Sequence, residues 1–138
     1  MKLLLFMSLL FSGNLLFANN LDSISEQAYV SIGSGGGFTG LTTEYHLFKD
    51  GNVYKFNSLE NQKVWVKKLN KKEMKCVFKK LDALHLEDMD YNHPGNISYF
   101  IEKRSGEKVN RITWGGSGTT PEKPQAFYEF LMSKISKQ

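Results

Sequence analysis

The sequence predicts an α+β fold: an antiparallel sheet built from hairpins, with two helices packed on one face in a two-layer arrangement. Three observations carry this. Several short runs alternate apolar and polar residues, the dipeptides Asp50-Gly51 and Ser105-Gly106 separate such runs, and two later segments space their apolar residues as helices do.

The chain starts Met1-Lys2, continues through the apolar run Leu3 to Phe11, breaks at Ser12-Gly13-Asn14 and closes on Ala18. That is the layout of a secretory signal peptide, with cleavage expected after Ala18; the run is too short and interrupted to span a membrane stably. The reading is therefore an exported protein, periplasmic or secreted: residues 1–18 a signal peptide, 19–26 a polar leader, and 27–138 one α+β domain. Removal of residues 1–18 takes away Lys2 and no acidic residue, leaving 17 basic and 14 acidic residues and a mature charge of +3. A mildly basic surface interleaved with acids is poor support for nucleic-acid binding, and export lowers it further. A single cysteine, Cys76, cannot form an internal disulfide, so packing must hold the fold.

The first strand is expected near residues 27–34, followed by the nearly all-glycine stretch Gly33–Gly37. After Phe38-Thr39-Gly40 the alternation resumes over 41–48, and Asp50-Gly51 reads as a two-residue hairpin loop. That loop sets Leu47 opposite Tyr54 and Tyr45 opposite Phe56, four residues on one face. A further strand covers 63–68. Asn70 with Glu73 is a capping box, with Leu69 and Met74 spaced as a hydrophobic staple. Met74, Val77, Phe78, Leu81 and Leu84 then form one helical stripe. Residues 85–95 are a polar connection. A second hairpin joins 97–103 to 107–114, with Ile97 expected opposite Trp114 and Tyr99 opposite Ile112. The glycine-rich segment 115–120 leads to a last helix from Pro121 or Pro124, buried through Phe127, Phe130, Leu131 and Ile135.

Chemistry-bearing patterns are sparse. Gly35-Gly36-Gly37-Phe38-Thr39-Gly40 fits G-x-G-x-x-G, but a strand follows where the dinucleotide fingerprint needs a helix, so no nucleotide is expected. Asp88-Met89-Asp90-Tyr91-Asn92 begins like a calcium loop but has His93 and Tyr99 where an EF-hand needs Gly and Glu. His46, His85 and His93 lack metal-ligand spacing, and His46 reads as a surface residue beside Glu44. Neither Ser34 nor Ser117, each between glycines, stands in a nucleophile elbow. The expectation is a non-catalytic protein without cofactor or metal, with no catalytic residue assigned. A hydrolase would need a pocket where His46 or His93 meets a nucleophile or carboxylate.

Val30-Ser31-Ile32 followed by Gly36-Gly37-Phe38-Thr39-Gly40 resembles the opening of the emfourin family, in which a first strand runs into Gly-Gly-Phe-Ala-Gly. The later amphipathic helix, hairpin and closing helix are similar in order. Emfourins are small inhibitors of thermolysin-like metalloproteases, so the resemblance implies a folded plug that binds an extracytoplasmic metalloprotease or another envelope protein. It also implies Gly36, Gly37, Phe38 and Gly40 as the partner-binding segment. The chain departs from the family in Thr39 in place of Ala, in an added strand at Val64–Val66, and in its export signal. The alternative is an envelope module that binds a protein or ligand on an open sheet face bearing Tyr45, Leu47, Tyr54, Phe56 and Trp65.

Overall fold

A computed structural model describes residues 28–116, 118 and 120–137; the expected signal peptide and leader lie outside them. The elements in order are β1 (Val30–Gly36), β2 (Leu41–Leu47), β3 (Asn52–Asn57), β4 (Gln62–Lys68), α1 (Lys71–Asp82), a 3-10 turn (Leu86–Asp88), β5 (Ile97–Ser105), β6 (Lys108–Trp114) and α2 (Glu122–Ser136). The strands form one antiparallel sheet of order β4-β3-β2-β1-β5-β6. The chain thus lays out one four-strand meander, leaves it for α1, and returns on the far side of β1. The fold is α+β, in two layers.

The helices share one face of the sheet. Met74, Val77 and Leu81 of α1 and Phe127, Leu131 and Ile135 of α2 are buried against Val30, Ile32, Leu47, Val53, Ile101 and Ile112. Period-two alternation sends every second strand residue to this core. The expected capping box is present: Asn70 Oδ1 accepts from Glu73 N–H at 3.0 Å, and Glu73 Oε2 accepts from Asn70 N–H at 3.0 Å. Two further bonds pin α2. Trp114 Nε1 donates to Gln125 Oε1 at 2.7 Å, and the Lys67 ammonium donates to the Lys134 carbonyl at 3.0 Å, a cation at the negative end of the helix.

Both hairpin registers differ from expectation. Leu47 pairs with Val53 and His46 with Tyr54, because the loop is Lys49-Asp50-Gly51, three residues rather than two. Gly51 N–H donates to Phe48 O, Phe48 N–H donates to Asn52 O, and Gly51 has φ +90°. This is a type I turn closed by a left-handed glycine. One extra loop residue flips the partner strand, so Tyr54 and Phe56 leave the core and Val53 takes their place. In the second hairpin the loop is Gly106-Glu107, and Tyr99 pairs with Trp114 and Ile101 with Ile112. That slip is two residues, which preserves the faces. The glycines expected in a loop are also partly strand: β1 runs on to Gly36.

Candidate functional site

The hairpin between β1 and β2 projects the segment Gly37-Phe38-Thr39-Gly40 from one end of the sheet. Gly36, Gly37 and Gly40 have φ values of +113°, +71° and +63°, the left-handed region open chiefly to glycine. At Gly36 the need is steric as well, since a Cβ there would lie 2.3 Å from the Asn96 carbonyl oxygen. Gly37 N–H donates to that same oxygen at 2.6 Å, and Gly40 N–H donates to Gly37 O at 3.2 Å. The turn is therefore fastened at its base while the Phe38 side chain stands wholly exposed. A large apolar side chain is thus held in water on a braced turn, with no cover among the described residues. The four residues expected at the partner site thus occupy one tip.

Sequence reasoning missed what surrounds the tip. The β3–β4 loop comes alongside: Ser58 N–H donates to Thr42 O at 3.0 Å, and Thr42 N–H donates to Ser58 Oγ at 2.9 Å. Its Leu59 is exposed, as is Ile97, whose backbone pairs with Gly36. The second glycine-rich segment joins the same end, for Gly116 N–H donates to His93 O, and a Cβ on Gly95 would lie 2.0 Å from Gly115 O. Phe38, Leu59 and Ile97 therefore share one rim of the sheet. This follows from β5 lying beside β1, a long-range pairing that no local turn signal encodes.

The helix-free face carries the main polar cluster. His46, expected at the surface, is only 4% exposed, and Ser31 beside it 5%. Ser31 Oγ and His46 Nδ1 are 2.9 Å apart, while Glu44 Oε2 lies 3.4 Å from Nε2 without making an aligned hydrogen bond. Burial, reinforced by the Lys63 ammonium, lowers the His46 pKa to about 4, so the ring is neutral at pH 7. Burial likewise raises the Glu44 carboxyl, with Arg111 opposing the rise. The Arg111 guanidinium stacks 3.8 Å over Phe100, which sits in the hollow that Gly33 leaves, and also reaches Glu102 at 3.5 Å.

Serine, histidine and a carboxylate thus meet here. Ser31 lies within β1, however, with its hydroxyl buried, and the neighbouring backbone N–H groups are spent in the ladder rather than converging on an oxyanion. The arrangement serves as a buried hydrogen-bonded bridge across β1 and β2.

The five aromatic and apolar residues expected on one open face are split by the register. Leu47 is buried and Tyr45 packs against the core beneath the helices; Tyr54, Phe56 and Trp65 lie on the helix-free face. Trp65 is 55% exposed, and its Nε1 donates to Asn52 Oδ1 at 3.2 Å. Cys76 is a free, exposed thiol on α1. Among the described residues no three His, Cys, Asp or Glu side chains group as metal ligands, and no helix is long and apolar enough to cross a membrane. Comparison with protein-family models and with curated proteins finds no match to this chain.

Proposed function

We propose that this is an exported, non-catalytic binding protein that engages its partner through the tip Gly36–Gly40, in the manner of an emfourin-like inhibitor of a thermolysin-like metalloprotease. The observation that carries the reading is Phe38, wholly exposed on a turn whose base is locked to Asn96. With no side chains on three glycines, the backbone of the turn can lie close against a cleft, while Phe38 fills an apolar subsite. Because the turn is pre-set, binding orders little new chain. The test is a progress curve of a thermolysin-like protease with increasing protein. A saturable fall in rate, with the protein recovered uncleaved, supports the reading; unchanged turnover together with no complex on size exclusion overturns it.

A second reading is an envelope interaction module acting through the helix-free face. Tyr54 and Phe56 on β3 and the half-exposed Trp65 on β4 favour it, β4 being the outermost strand on that side among the described residues. Loss of partner capture on Trp65→Ala with capture retained on Phe38→Ala would favour this face over the tip.

A further inference from the structure

At the end of the sheet opposite Phe38, an open groove of about 830 Å³ lies between the β2–β3 turn and the first turns of α1. Its floor is apolar, made by the buried Leu69 and Met74 and the half-buried Phe78. Its walls are cationic on both sides: Lys49 comes from the β2–β3 turn and Lys68 from the end of β4, Lys71 and Lys75 from the helix. Asp50 is the one acidic group lining it among the described residues, and its carboxylate already accepts from the Asn52 N–H and side-chain amide, at 3.0 and 2.6 Å. The charge is a property of the whole region. Residues 62–80 hold eight lysines and a single acid, Glu73, which is committed to the capping box.

We propose that this groove binds an acidic peptide segment, with an apolar side chain seated on Leu69, Met74 and Phe78 and carboxylates facing the four lysines. The shape selects a chain over a flat membrane surface, because the apolar residues form a recessed floor and do not protrude. Lysines on both walls call for several negative charges flanking an apolar centre, which a single-headed amphiphile does not offer. Ammonium groups on flexible stems suit carboxylates without a fixed fork geometry. The interaction would be salt-sensitive, since the lysines are exposed.

The test is fluorescence anisotropy of a labelled hexapeptide ELDDFE with the purified protein in low salt. The expected result is saturable binding that weakens at least about tenfold in 0.5 M salt, and at least about tenfold in the double variant Lys71→Glu, Lys75→Glu. Both side chains are exposed, and an unchanged thermal midpoint of the variant checks that its fold is intact. Hexaglutamate binding as tightly as ELDDFE would overturn the proposal, because the apolar floor would then contribute nothing. Unchanged affinity in the double variant, absence of saturable binding, or binding to phosphatidylglycerol vesicles without peptide binding would each overturn it too.

Discussion

His46 makes the stability of this protein depend on pH in a way that can be worked out. The ring is buried and neutral, with its pKa lowered from 6.5 to about 4. The unfolded chain therefore binds a proton between those values that the folded chain refuses, and stability is lost as pH falls through that window. The full difference of about 2.5 units corresponds to roughly 3 kcal/mol, of which roughly 2 kcal/mol is already lost at pH 5. Other groups facing the ring are Glu44 on its own strand, Tyr54 from β3, Lys63 from β4, Glu102 from β5 and Arg111 from β6. Glu44 acts with the opposite sign: its raised carboxyl favours the folded state as it protonates, which trims the net loss. Subtraction isolates the histidine. Urea unfolding followed by fluorescence of Trp65 and Trp114 should show wild type losing about 2 kcal/mol more than His46→Asn between pH 7.5 and 5. Equal losses in the two proteins would refute a buried neutral ring.

Three further outcomes follow from local geometry. Asn70→Ala should lower stability by about 1 kcal/mol in urea unfolding, because it removes the acceptor for Glu73 N–H at the start of α1. Gly36→Ala should cost about 2 kcal/mol or more, since the position combines φ +113° with a Cβ site 2.3 Å from Asn96 O; a variant as stable as wild type would contradict that approach. Cys76 should react with a thiol reagent in the native protein as fast as in urea, and Cys76→Ser should leave the unfolding midpoint unchanged.

Where local chemistry decides the structure, the sequence was readable. Asn70, Glu73, Leu69 and Met74 mark the start of α1 without reference to anything distant, and the α1 stripe faces the sheet as its period requires. Registers were less readable because they turn on loop length. Asp50-Gly51 has the chemistry of a two-residue loop, yet Lys49 joins it, and one residue exchanges Tyr54 for Val53 in the core. The long-range pairing of β1 with β5 has no local signature, so the convergence of Phe38, Leu59 and Ile97 at one rim was invisible. His46 was misplaced for a related reason: a strand facing away from the helices still buries a side chain when neighbours cover it, as Arg111 covers Phe100. The glycine-rich tip is visible as composition, while its fastening appears only through the bond to Asn96 and the bond within the turn.

The most direct test of the account is the single substitution Phe38→Ala, measured for both inhibition and stability. Phe38 is the exposed apolar side chain of the tip and lies outside the core. The account therefore predicts inhibition of a thermolysin-like protease weakened by roughly 10- to 100-fold, with the urea midpoint unchanged. Inhibition retained at wild-type strength would contradict it.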